Sequence, residues 1–327
     1  MLSESHGSPL TVGFDIGGTN TRAGVVTGDG DIIDSRSTDT PHDADELTAA
    51  ITGLVADLRR DHKVAAVGVA LAGFLDPDCE KVRFAPHLPW RNDAPVKAIL
   101  EDAIGLPVRL EHDANSAAWG EYRFGAAREA DTWVFFAVGT GIGATLMHRG
   151  EIYRGSFGTA PEFGHLTVVP GGRVCSCGKH GCLERYASGT ALVDTAVEVA
   201  SAGGYKGCGL YRAVVDKRAS GHDVMAAARR GDPLGRAAVA TFADWLGQGL
   251  SIVADVLDPE LIVLGGGVSS DADLFLDRAR EAMAHDIVGA GYRPLPKLLC
   301  AERGPDAGML GVADLARELA EERDKAC

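Results

Sequence analysis

The pattern that most restricts the fold of this chain occurs twice. In the first copy an apolar strand, Leu10 to Phe14, runs into Asp15-Ile16-Gly17-Gly18-Thr19-Asn20. A second strand follows over Thr21 to Val26, and Asp29-Gly30 turns the chain into a third around Ile32-Ile33. Strand, glycine-rich turn, strand, turn, strand reads as a β-meander. In the second copy Thr132 to Val138 meets Gly139-Thr140-Gly141-Ile142-Gly143, Ala144 to Met147 continues as a strand, and Arg149-Gly150 turns into Glu151-Ile152-Tyr153. The two stretches share little identity; the match lies in the order of parts. Spacing alone leaves open two related halves or two unrelated hairpins. Glycine is abundant, 42 of 327 residues, against a usual share of roughly 7%. It clusters in these turns and at Gly265-Gly266-Gly267, which points to tight turns beside a ligand rather than low complexity.

Around the meanders, helical and strand patterns alternate. Residues 45–60 carry apolar residues at helical spacing with acidic residues in the first turn. Val64 to Ala70 suits a buried parallel strand, Val108 to Glu111 a further strand, and Asp113 opens a helix. Residues 236–256 form a long helical segment that stops before Asp258-Pro259. Leu261 to Leu264 is a buried strand, and residues 271–285 and 308–324 read as helices. The length of 327 residues suits two domains. The expectation is an α/β protein of two related lobes.

Charge and cysteine usage narrow the setting. With 32 basic and 46 acidic residues the net charge is −14, so nucleic acid and anionic membrane are poor partners. Residues 1–9 lack the basic start and apolar core of a signal peptide, and they leave no room for a DNA-binding helix-turn-helix. No run of 18 apolar residues is present, so no spanning helix is expected and the cytoplasm is the default location. Seven cysteines are too few for a disulfide framework. Cys175, Cys177 and Cys182 sit close together, which suggests a metal, whereas Cys79, Cys208, Cys300 and Cys327 are scattered.

The first loop has the parts of a phosphate cradle. Gly17 and Gly18 let the backbone approach an oxyanion, and Thr19 adds a hydroxyl donor. Asp15 would repel phosphate directly but suits a hydrated Mg2+, which takes one or two carboxylates and keeps its waters. No Gly-Lys-Ser/Thr follows, so this is not a Walker A loop. A strand rather than a helix comes next, so it is not a dinucleotide fingerprint. The second loop carries Thr140 between Gly139 and Gly141 and no charge. Two such loops are able to hold a polyphosphate tail.

From Val12 to about Arg317 the chain resembles the ROK family of bacterial sugar kinases, which have the two-lobed actin-like, hexokinase-like ATPase fold with duplicated ribonuclease H-like lobes. Asp15 to Asn20 is similar to the family's phosphate-1 motif, Gly139 to Gly143 to its phosphate-2 motif, and Leu264-Gly265-Gly266-Gly267-Val268 to its adenosine segment. Glu162-Phe163-Gly164-His165, followed by the stretch from Cys175 to Glu184, resembles the family signature. Leu88 to Asn92 and Glu111-His112-Asp113-Ala114-Asn115 are also similar to ROK glucokinase segments. One departure is Pro161, where family members often have Gly; it calls for an extended approach to Glu162 and bears on fine sugar specificity.

The resemblance implies roles for individual residues. Asp113 becomes the base that accepts a sugar hydroxyl proton, although an Asp opening a helix also suits an N-cap. Asn115 and Asn92 are expected on sugar hydroxyls, and Gly73 at the backbone approach to the sugar. His165, Cys175, Cys177 and Cys182 have the composition of a closed structural Zn2+ site, with three free thiols as the alternative. Zinc on one imidazole nitrogen of His165 would leave the other for a sugar hydroxyl. Glu162 and Glu184, tied to the same loop, are expected to accept from vicinal hydroxyls. His112 and His180 read as packing or loop residues, Lys217 to Arg230 as a solvated helix face and Trp245 as core or subunit contact; loop 202–209 receives no role.

The expected activity is phosphorylation of glucose at the 6-hydroxyl by MgATP. The small lobe is expected at residues 1–112 with a C-terminal helix 307–327 packing back, and the large lobe at 113–306. A homo-oligomer, dimer or tetramer, is the expected assembly. Rival readings are a kinase of another hexose or an N-acetylated amino sugar, polyphosphate as donor, a sugar-responsive transcriptional repressor, and a glycoside hydrolase. The acidic charge weighs against the repressor and the phosphate loops against the hydrolase.

Overall fold

A computed structural model describes residues 8–85 and 87–326. The stretch 1–7, most of the segment that argued against a leader, and residue 327 lie outside the described residues.

The first meander forms β1 (Leu10–Ile16), β2 (Asn20–Val26) and β3 (Ile32–Asp39), and α1 (Ala44–Leu58) follows. Asp43 caps α1 by accepting from the amides of Asp45 and Glu46 at 2.9 and 3.1 Å. Next come β4 (Val64–Leu71), three short strands β5 (Phe74–Leu75), β6 (Val82–Phe84) and β7 (Arg91–Ala94), then α2 (Val96–Ile104), β8 (Val108–His112) and α3 (Asp113–Phe124). The second meander forms β9 (Thr132–Val138), β10 (Ile142–His148) and β11 (Glu151–Tyr153). Five helices follow: α4 (Glu184–Ala187), α5 (Gly189–Ser201), α6 (Tyr211–Val215), α7 (Gly221–Arg229) and α8 (Pro233–Leu257). The chain then runs through β12 (Leu261–Gly265), α9 (Leu276–Asp286), β13 (Lys297–Cys300) and α10 (Ala307–Ala326). The helix expected at 271–285 begins instead as a 3-10 stretch, Gly267–Leu274, and becomes α-helical only from Leu276.

The two meanders are equivalent. The first sheet has the order β3-β2-β1-β4-β8 and the second β11-β10-β9-β12-β13, so each strand has a counterpart. In both, the two strands flanking the glycine loop are seven residues long, and the later strands add in parallel. Two unrelated hairpins would not produce the same five-strand order. This is the α/β, two-lobed, duplicated arrangement expected of an actin-like fold. The three short strands make a separate sheet in the order β5-β6-β7.

By contact grouping the chain divides into two units. Among the described residues, one holds 8–85, 87–130, 145–161 and 302–326; the other holds 131–144 and 162–301. These bounds differ from the expected 1–112 and 113–306, because α3 and residues 145–161 group with the first sheet. Within the first unit, Phe14, Val67, Val69, Leu71, Leu47, Ile51 and Leu100 belong to one fully buried core between the sheet and helices α1 and α2. On the same unit α10 packs against β1, β4 and α3. A Cβ on Gly13 would run into Met309 O, and one on Gly68 into Val312 O, so glycine lets the helix backbone touch the sheet. Arg317, 4% exposed, donates to the carbonyls of Pro9, Val26 and Thr27 and pairs with Asp314.

In the second unit α8 packs against α5, α7 and α9. Asp232 caps its start, Pro233 occupies the first turn, and Asp258 ends it in the left-handed conformation before Pro259. This helix is long and apolar enough to cross a membrane by length and composition, yet Leu234, Val239, Phe242, Leu246, Leu250 and Val253 are buried in its own unit.

Candidate active site

In the first unit, β1 delivers Asp15 to the edge of the loop 17–19, and Gly17, Gly18, Thr19 and Asn20 are exposed. Gly17 N donates to Asn20 O at 3.0 Å. Thr40 braces the loop, its amide on Thr19 O at 3.0 Å and its hydroxyl on Gly17 O at 2.8 Å. Burial pushes the Asp15 carboxyl above its usual value, the charge of Asp113 and then of Asp306 add to the push, and Arg22 opposes it. Arg22 itself donates to Asp306 at 2.6 Å. A half-buried carboxylate that feels two further carboxylates is a site whose charge a hard divalent cation relieves, so the donor set fits Mg2+.

Asp113 is the first residue of α3, immediately after β8, and its side chain is about half exposed. The N-cap position belongs to His112, which makes no side-chain capping bond. Asp113 Oδ1 accepts from Ala114 N at 2.7 Å and lies 3.3 Å from His112 Nδ1. Asn115, one turn in, is 7% exposed. Its Nδ2 donates to Glu111 Oε1 at 2.9 Å, and its Oδ1 accepts from the Thr145 hydroxyl at 2.9 Å. Glu111 is fully buried and also accepts from Arg154, from Arg109 at 3.4 Å and from His112 N at 3.1 Å. Burial alone would raise the Glu111 carboxyl, but Arg154, helped by Arg109 and Asn115, holds it below its usual value. A Cβ on Gly73 would lie 2.8 Å from Ala85 Cβ and 2.9 Å from Phe84 O, so close chain approach already requires a glycine there. Asn92 sits on exposed β7 with φ 58°, a left-handed conformation that Asn tolerates.

In the second unit the loop between β9 and β10 is closed by Gly139 N donating to Gly141 O at 2.9 Å, and Gly139 O accepts from Gly189 N at 2.8 Å. Thr140 is exposed at its tip. Glu184 reaches this loop: its Oε2 accepts from Ile142 N at 3.4 Å, and a Cβ on Gly141 would lie 2.6 Å from that oxygen. The other oxygen, Oε1, accepts from Cys175 Sγ at 3.0 Å and lies 3.7 Å from His165 Nδ1. Glu162 precedes and His165 ends one turn of 3-10 helix, Phe163–His165, with His165 Nε2 3.7 Å from Glu162 Oε2.

The ligand atoms of His165, Cys175, Cys177 and Cys182 lie within 4.8 Å of one another. Metal bonds of roughly 2.0–2.3 Å in a tetrahedron give edges of about 3.4–3.8 Å. Cys177 Sγ to Cys182 Sγ is 3.7 Å and Cys175 Sγ to His165 Nδ1 is 3.6 Å, so these two edges already have that length. Burial, and then Glu184, push the Cys175 thiol up to about 12. A cation is the partner that would take it as thiolate. The four residues fit Zn2+.

The adenosine-like segment ends β12, with Gly266 at φ 81° and Gly265 buried against Phe135. It forms one side of a cavity of about 620 Å³ lined also by Gly139, Thr140, Leu192, Val193, Met225 and Val268. Sequence reasoning missed two contributors, the starts of α5 and α7 at Gly189-Thr190 and Ser220-Gly221-His222, both on the cavity wall. The available signal was a serine cap before each glycine, Ser188 and Ser220. Arg229, read as part of a solvated face, instead forks onto Asp273 at 2.7 and 2.8 Å and reaches Asp271 at 2.8 Å, which ties α7 to the cavity's glycine-rich side. Trp245 packs against Tyr186 with ring centres 4.8 Å apart and planes tilted by 45°.

Comparison with known proteins bears on the whole chain. The glucokinase of Streptomyces coelicolor is 40% identical over 312 residues, 94% of this chain and 98% of that protein. A solved ROK family glucokinase from Streptomyces griseus, in complex with glucose and AMPPNP, is 41% identical, covers 94% of this chain and 99% of its own, and superposes with a TM-score of 0.81. The ROK hexokinase of Thermus thermophilus is 31% identical, with a TM-score of 0.78 over 96% of this chain and 99% of its own. The sheet order, the two glycine loops and the Cys/His cluster therefore come with a family model that matches residues 11–319, and the chain belongs to the ROK family.

Proposed function

We infer that the protein is an ATP-dependent hexose kinase that phosphorylates glucose at its 6-hydroxyl, giving glucose 6-phosphate and ADP. The observation that carries the nucleotide half is the cavity of the second unit, where the Gly139–Thr140 loop shares a wall with Leu192, Val193, Met225 and Val268. An adenine ring gains from apolar walls, whereas a polyphosphate chain has no use for them. The sugar half rests on the Streptomyces relatives, one of them solved with glucose.

In this reading Asp113 accepts the 6-hydroxyl proton as that oxygen attacks the γ-phosphorus. Sugar hydroxyls are assigned to Gly73, Asn92 and Asn115 in the first unit and to Glu162, His165 and Glu184 in the second. Asn115 retains one N–H and one lone pair beyond its bonds to Glu111 and Thr145. Phosphates are assigned to Gly17, Gly18, Thr19 and Asn20 and to Gly139, Thr140 and Gly141, and the adenosine to Gly265, Gly266 and Gly267. Asp15 is assigned to Mg2+, which when bound offsets charge on the transferring phosphates. His165, Cys175, Cys177 and Cys182 would hold a structural Zn2+ and fix the loop that bears Glu162. Lobe boundaries are taken from the two units: residues up to 130, 145–161 and the segment from 302 with the helix Ala307–Ala326 in the first, and 131–144 with 162–301 in the second. A cytoplasmic homo-oligomer completes the proposal.

The test is a coupled assay across a sugar panel, each sugar with ATP and with polyphosphate. ATP-dependent turnover of glucose is expected. Turnover with polyphosphate alone, or with no hexose, overturns the reading.

A further inference from the structure

The buried network behind Asn115 has a direction built into it. Glu111 Oε1 accepts from Asn115 Nδ2 at 2.9 Å and from His112 N at 3.1 Å, while Oε2 accepts from Arg154 and from Arg109 at 3.4 Å. All four partners of the carboxylate are donors, so Asn115 is obliged to turn its NH2 group, not its oxygen, toward Glu111. On the other side the Thr145 hydroxyl donates to Asn115 Oδ1 at 2.9 Å. A hydroxyl donates or accepts with equal ease, so Thr145 tolerates either orientation and Glu111 decides it. The residues that hold this arrangement, Glu111, Arg154 and Thr145, are far apart in sequence and belong to one unit.

We propose that Glu111 is a positioning residue for the sugar site, whose buried carboxylate fixes the orientation of the Asn115 amide and so selects which hydrogen-bonding groups that amide presents. This rests on the reading of Asn115 as a sugar ligand. The substitution Glu111→Gln separates charge from shape. Its one amide oxygen is held by the two guanidinium groups, so its NH2 faces Asn115 and His112 N. Asn115 then flips to offer its oxygen, and Thr145 accommodates the flip by accepting. The backbone N–H of His112 loses its acceptor, a cost to stability that is present with or without Asn115, while the polarity of the Asn115 edge is reversed.

The experiment is a double-mutant cycle on the full chain, read as KM for glucose and KM for ATP. Glu111→Gln is expected to raise the glucose KM about tenfold, the scale of one hydrogen bond. The ATP KM is expected to stay within about twofold. In an Asn115→Ala background the same substitution is expected to add less than about twofold, because its effect runs through that amide. If Asn115→Ala raises the glucose KM and Glu111→Gln multiplies it by the same factor as in the wild type, the positioning role is overturned and the sugar-ligand reading stands. If Asn115→Ala leaves the glucose KM unchanged, the sugar-ligand reading fails and the positioning role falls with it. Should Glu111→Gln not fold, Glu111→Asp keeps the charge but draws the carboxylate back from Asn115 Nδ2. It is expected to raise the glucose KM only when Asn115 is present, and a rise that persists in Asn115→Ala overturns the inference.

Discussion

His165 Nε2 lies 3.7 Å from Glu162 Oε2, through the ring nitrogen that is not turned to Cys175. An imidazole whose Nδ1 faces a cysteine cluster is oriented by that cluster, and its second nitrogen is then aimed at a fixed place. Here the fixed place is beside a half-exposed carboxylate on the same turn. The Cys/His cluster and the proposed sugar ligands are thereby one construction.

The first expectation follows from that link. The purified protein should hold one zinc per chain without added metal, and Cys177→Ser should release it. Glucose KM should rise by about 10–100-fold, the range seen when groups that orient a metal site are lost. ATP KM should move less, though not by zero, because Glu184 bridges the cluster to Ile142 N. Elemental analysis with the two KM values checks it, and zinc-free wild-type enzyme with full activity would contradict it.

Asp113→Asn keeps size and hydrogen bonding but removes the proton acceptor. Turnover should fall by at least about 10²–10⁴-fold, with glucose binding retained in a calorimetric titration. Turnover within tenfold of the wild type would remove Asp113 from the base role.

Glucose should be preferred over N-acetylmannosamine and N-acetylglucosamine. As the proposed sugar ligands, Glu162, His165 and Glu184 would supply acceptors and one donor suited to a free hydroxyl at carbon 2, and sites built on such bonds reject mismatched analogues by as much as about 10⁴–10⁵. The measurement is kcat/KM for each sugar at saturating ATP. A higher value for either acetylated sugar would reassign the substrate and leave the kinase reading in place.

Acid should probe Glu111. Its folded carboxyl lies below the ordinary value of 4.5 because Arg154, with Arg109 and Asn115, overcomes the opposing effect of burial. The stability it contributes is therefore fully present above pH 4.5 and is lost as pH falls through the lower folded value. Thermal melts of wild type and Glu111→Gln should differ most at neutral pH and converge below pH 4.5. A gap that stays constant down to pH 2 would mean that the ion pair is not what the substitution removes.

The meanders were readable because glycine turns separate apolar runs of strand length, and the bounds of β9 and β11 match the expectation to the residue. The short strands β5 to β7 and β13 were not, since two to four residues carry no alternation to detect unless a turn pair such as Arg149-Gly150 before β11 announces them. Among the site residues, those in contiguous motifs such as Glu162 to His165 could be picked out directly. The bond from Arg154 to Glu111 could not, because it joins β8 to the segment after β11 and exists only once both are folded. The cavity walls at Gly189 and Gly221 were hidden for a similar reason. A Cβ on Gly221 would lie 2.6 Å from Gly189 O, so the two helix starts become a wall only by meeting each other.

The packing of α10 bears on how the protein is made. Thr11 donates to Ala313 O at 2.8 Å, and Arg317 binds carbonyls of both chain segments at the open end of the β1–β2 hairpin. During synthesis the first sheet therefore leaves the ribosome long before the helix that covers one of its faces. The second unit has all its residues between 131 and 301 and is able to close first. A nascent chain stalled before residue 307 would expose the bare face of β1 and β4 to chaperones, and truncation there should cost the N-terminal sheet more than the second unit.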